Sequence, residues 1–168
     1  MLTRFMCIYS SEQKNVCVYY LAAAMHVFCV PGDYVIGRLF QSISWLLRHT
    51  PHRNTRLESF QDFKHIVLAQ CLQETSGQYE FVGMVPVMET GHEHFISIIP
   101  AIECAGINEI VNAMLEHTVE QARRCEVKRI YYTSQSKDDA IETILQTMGF
   151  TYEHTAGCED VTEMLLKL

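Results

Sequence analysis

The chain has 168 residues, 48% hydrophobic and 20% charged, values close to those of ordinary globular domains. The length suits one domain over residues 1–168, and no charge block, repeat or Gly/Ser/Pro-rich stretch marks a linker. A net charge of −7 gives a field that repels nucleic acid and anionic lipid, so neither is an expected partner.

The only basic cluster, Arg48, His49, His52, Arg53 and Arg56, reads as a solvated connector. The seven cysteines are odd in number and form no CxxC, so neither a disulfide frame nor a zinc knuckle is expected, and a reducing cytoplasm fits. The longest apolar run, Val16 to Val30, is too short for a membrane helix of ~20 residues. It also lacks a cleavage site and lies away from the start, so it reads as a buried helix rather than a signal peptide.

In chain order, Arg4 to Tyr9 predicts a short strand. Ser11 is an N-cap for a helix with Cys17, Tyr20, Leu21, Ala24, Val27 and Phe28 on one face, stopped by Pro31 and Gly32. Asp33 caps a second helix striped by Val35, Ile36, Leu39, Phe40, Ile43, Leu46 and Leu47, which ends at Thr50 and Pro51. Residues 1–62 thus read as one strand and two helices.

Residues 63–168 change character. His65 to Leu72, Tyr79 to Met88 and Glu93 to Ile99 are rich in Val, Ile, Phe and Tyr, and Gly77 and Gly91 stand in the turns between them. That pattern predicts an antiparallel meander. Pro86 inside the second run marks a bulge or an edge. From Ile107 the period becomes 3.6, with Ile107, Ile110, Val111, Met114, Leu115, Val119 and Ala122 inward as far as Arg124. Val127 to Thr133 is the next strand. Ser136 or Asp138 starts a last helix with Ala140, Ile141, Ile144, Leu145 and Met148 inward and Gly149 at its end. Phe150 to His154 and Val161 to Leu168 complete the strands. The helix from Ile107 joins two strands as a crossover, so that pair should be parallel.

This element order, and two segments within it, resemble the GNAT superfamily of N-acyltransferases. PAIECAGINEIVNAMLEHTVEQARRCEVKRIYY is similar to the family's phosphate-binding strand–loop–helix unit, and IETILQTMGFTYE to its helix ending in Gly-Phe. The resemblance covers residues 63–168 well and 1–62 only in element order. It implies an α/β (α+β) fold: a mixed, mostly antiparallel central sheet with helices on both faces.

It further implies acetyl-CoA as co-substrate in a cleft between diverging strands. Ile98, Ile99, Cys104, Ala105, Gly106, Ile107, Asn108, Ser134 and Gln135 would line it. A helix start holds phosphate through its unpaired N–H groups and partial positive charge. Glu103 stands where the family has Arg or Gln. Leu145 stands where many members carry a tyrosine acid, so Tyr131 or Tyr132 is the substitute, and alternation lets only one of them face the cleft. Candidate bases are His92, Glu93 and His94; the catalytic set expected is Glu93, His94 and Tyr132. His92 and His94 form an H-x-H pair with no third ligand, so no metal is expected. His26, His65 and His117 read as structural.

The function implied is acyl transfer to an amine on a small molecule or protein, with room for a homodimer. A non-catalytic, protein-binding module resembling ornithine decarboxylase antizyme is the alternative. An acyl-homoserine-lactone synthase is a third reading.

Overall fold

The computed structural model describes residues 5–6, 18–20, 25–31, 63–72, 77–100, 106–134, 138–153 and 161–168. Its strands are β1 (Phe5–Met6), β2 (Val18–Tyr20), β3 (Met25–Pro31), β4 (His65–Leu72), β5 (Tyr79–Thr90), β6 (Glu93–Ile96) and β7 (Ile99–Pro100), followed by β8 (Arg129–Ser134), β9 (Thr151–Tyr152) and β10 (Thr162–Lys167). Helix α1 (Ile107–Arg124) precedes β8, and α2 (Asp139–Thr147) follows it. All strands belong to one sheet, in the order β1-β2-β3-β4-β5-β6-β8-β10-β9, with β7 paired to β5. Among the described residues the β6–β8 pair is parallel and every other pair is antiparallel.

The switch of period at Ile107 is what divides sheet from helix. α1 has the bounds its spacing predicts, and it lays Ile110, Val111, Met114, Leu115, Val119 and Ala122 onto the sheet. Val27, Val67, Val85, Ile96 and Ile130 meet them from β3, β4, β5, β6 and β8. Each such side chain contributes about 1.5–3 kcal/mol by leaving water. Gly83 allows the closest approach: a β-carbon there would lie 2.7 Å from Met114 Cε. α2 packs beside α1, held by Ile141 and Leu145. Asp138 starts α2 by accepting the amides of Ala140 and Ile141 at 3.1 and 3.2 Å, as an N-cap should.

The first predicted helix is corrected. Residues 18–20 and 25–31 are strands β2 and β3, in the register Val18↔Phe28, Tyr19↔Val27 and Tyr20↔His26. β3 lies between β2 and β4 in the sheet, with Val27, Cys29 and Val30 buried. A strand this deep reads as a continuous apolar run, which spacing alone does not separate from a helix. Valine and aromatic side chains suit a pleated surface better than a helix. The second predicted helix, residues 33–47, falls outside the described residues. The predicted strand from Glu93 to Ile99 is broken in two, as β6 and β7.

Candidate functional site

β6 and β8 run in register from Glu93↔Arg129 to Ile96↔Tyr132, and there their pairing ends. Beyond that rung β7 stays with β5, through Met84↔Ile99 and Gly83↔Pro100. β8 stays with β10, through Thr133↔Glu163 and Ser134↔Thr162. The two strands therefore splay. Glu93 pairs with Thr90 across the two-residue turn Gly91–His92, so it faces β5. Alternation then turns the backbone of His94, Ile96 and Ile98 toward β8. The Ile98 N–H points into the splay.

α1 packs against β7, the strand that leaves this pairing. The chain leaves β7 at Pro100 and enters α1 through Gly106, whose φ of 78° is left-handed, and among the described residues no side chain caps the helix. The first helical bond, from Ile110 N to Gly106 O, is 3.1 Å. The amides of Ile107, Asn108 and Glu109 therefore have no acceptor within the helix, and they carry its positive end. Gly106 and Asn108 are exposed, Ile107 half-buried. Glu109 curls back, placing Oε2 3.3 Å from where a β-carbon on Gly106 would stand. Glu103, Cys104, Ala105 and Gln135 lie outside the described residues.

Of the two tyrosines on β8, Tyr131 stacks on Phe95 with ring centroids 5.0 Å apart. Tyr132 turns to the opposite face, into the core that includes α1 and α2. It occupies the last paired rung, 3% exposed. Burial foremost raises its phenol pKa. A hydrogen bond with Ser134 draws it back, and the carboxylates of Asp138 and Glu142 push it up again. Glu142 is itself buried, accepting from the Tyr152 hydroxyl at 2.5 Å and from Thr162 Oγ1 at 3.2 Å. Leu145 is fully buried in the core, so α2 offers no proton there.

The other two predicted catalytic side chains sit at the far end of β6. Glu93 pairs with Arg129 at 3.2 Å. His94 is fully buried, with Nε2 3.3 Å from Glu89 Oε2 and its ring edge-on to His65 at 5.6 Å. Its pKa is lowered, mainly by burial, against the pull of Glu89. His94 and Ile98 are about 13 Å apart along the strand, whereas proton transfer needs contact at about 3 Å. Tyr132 thus stands at the last β6–β8 rung, with Ile98 and Ile99 following β6 beyond it, whereas Glu93 and His94 stand at the other end of β6.

Sequence reasoning missed Asp138 and Glu142 as neighbours of Tyr132. The available signal was phase, because Glu142 precedes the inward Leu145 by three residues and shares its helix face. Among the described residues, no three of His, Cys, Asp and Glu converge to hold a metal, and no helix is long and apolar enough to cross a membrane.

No protein-family model matches the sequence, and no curated protein matches it. Solved structures do match. The GNAT domain of S. lividans PAT aligns with a TM-score of 0.63 and 14% identity, over 86% of this chain and 90% of its own. An IAA acetyltransferase from Bacillus cereus gives 0.62 and 16%, over 86% of this chain and 99% of its own. A putative acetyltransferase from Salmonella typhimurium, solved with its cofactor acetyl-CoA, gives 0.58 and 15%, over 86% and 94%.

Proposed function

We propose that this chain, whose fold is that of the GNAT acetyltransferases, is an acetyl-CoA-dependent N-acyltransferase acting on an amine in the cytoplasm. The observation that carries the reading is the parting of β7 from β8, with α1, a helix started by a left-handed glycine, packed against β7. The residues present fit the ligand. The amides of Ile107 and Asn108 would hold its diphosphate, which would displace the Glu109 carboxylate now lying over Gly106. By the resemblance, Cys104 and Ala105 would contact it as well. Ile98, Ile99, Ser134 and Gln135 would contact the rest of the ligand.

Acetyl-CoA supplies an activated thioester when bound. The chain contributes position and charge. Holding an amine against that carbon replaces a bimolecular encounter with a local one. The Ile98 N–H would be the donor to negative charge developing on the acyl oxygen, and such a donor acts strongly where water is excluded. Tyr132, kept protonated by burial and by the nearby Asp138 and Glu142, holds a proton for the departing sulfur.

Thermal unfolding with and without acetyl-CoA tests the binding step. At about 100 times its Kd the ligand should add about 2.7 kcal/mol, and no shift at millimolar ligand would sink the reading. Tyr132→Phe should then leave that shift in place and slow transfer to an amine roughly a hundredfold. A second reading, a non-catalytic module that binds another protein, is favoured by two observations: Leu145 is buried where the resemblance implies an acid, and Glu109 lies over Gly106. Absence of both binding and turnover would support it.

A further inference from the structure

Pro86 lies in a central strand, with β4 on one side and β6 and β7 on the other. Proline has no N–H, and sheet interiors exclude it unless the missing donor falls at a break. Two observations identify the neighbour that loses the donor. Thr90 and Glu93 close the turn at Gly91–His92, which makes them a hydrogen-bonded rung, and alternation turns Met88, Pro86 and Met84 the same way. Val87 has the opposite phase: its carbonyl faces β4, where it accepts from the Lys64 N–H at 2.8 Å. Pro86 therefore addresses Ser97.

Ser97 is where the pairing stops. Val87↔Ile96 precedes the gap and Met84↔Ile99 follows it, in one unbroken register. No residue has been inserted. A rung has been left out.

We propose that Pro86 is a positioning residue: by withholding a donor from Ser97 it keeps that rung open, bends the chain at Ser97–Ile98, parts β7 from β8 and leaves the Ile98 N–H facing the splay. The geometric claim stands on strand phase; its catalytic consequence rests on the acetyl-transfer reading above. An alanine at position 86 supplies the missing N–H, and the neighbouring strand has the acceptor ready.

The test compares Pro86→Ala and Pro86→Val with the native chain by amide exchange in NMR and by acetyl-transfer kinetics. The new amide at position 86 should be protected by about tenfold or more, as a closed rung is, and Ile98 exchange should slow as β7 straightens toward β8. With the Ile98 donor drawn out of the splay, kcat should fall on the order of a hundredfold while the KM for the amine hardly changes. A freely exchanging amide at position 86 in both variants overturns the proposal, as does a closed rung with unchanged Ile98 exchange. Unfolding of both variants overturns it too, because a restored rung does not weaken a sheet. A native chain that neither binds nor uses acetyl-CoA removes the acetyl-transfer reading, and the exchange comparison still decides the role of Pro86.

Discussion

Acidification should loosen the end of the molecule opposite the splay, and His117 allows the size of the effect to be worked out. His117 on α1 is 3% exposed, and burial foremost, with His65 and Arg124 adding to it against Glu120, pushes its pKa down to about 4. His65 on β4 is also pushed to about 4, by burial and then by His94. A histidine held neutral in the fold is protonated first in the unfolded chain. The stability it contributes is therefore complete above about pH 6.5 and is lost progressively as pH falls toward 4. The full gap corresponds to about 3 kcal/mol for His117, of which about 2 kcal/mol is lost on going from pH 7.5 to pH 5. His65, pushed to the same value among a different set of charges, His94, Glu89 and Lys64, adds a loss of similar size. Urea unfolding followed by circular dichroism at both pH values measures the loss, and His117→Leu should reduce it by about 2 kcal/mol. An equal loss in the native chain and the variant would refute the reasoning, since it would locate the titrating groups elsewhere.

Leu145→Tyr restores the residue type that the family resemblance implies at that position. Because Leu145 is fully buried, the larger ring and its hydroxyl should cost about 2–4 kcal/mol of unfolding free energy and bring no gain in turnover; a stable, faster variant would show that the position faces the cleft. Gly83→Ala drives a β-carbon against Met114 Cε and should cost about 1–2 kcal/mol in urea. The same change made in a Met114→Ala background should cost much less, and equal costs would mean that the two residues do not meet.

Much of the fold was legible because local spacing decides it. α1 follows from the apolar positions between Ile107 and Ala122, and α2 from Asp138 and the stripe ending at Leu145. The run from Val16 to Val30 was misread because its fate depends on β4 lying alongside, which no window of the sequence contains. The site was legible only in part, for a similar reason. Alternation says that Tyr131 and Tyr132 face opposite ways, but choosing Tyr132 requires the register with β6 and the positions of α1 and α2. Glu93 and His94 begin β6, whereas its pairing with β8 stops at the other end, at Ile96↔Tyr132. Pro86 was visible as an anomaly, and its partner at Ser97 became identifiable only once the hairpin closed at Thr90 and Glu93.

The carboxylate of Glu109, folded back over Gly106, sets a tethered negative charge beside the start of α1. An anion arriving from solution competes with a group on the same helix turn, whose local concentration is in the millimolar range or higher. Added salt weakens both contestants, so affinity for a diphosphate should depend less on ionic strength than an open helix end would. Departure is assisted as well, because the side chain is at hand to take over the vacated amides.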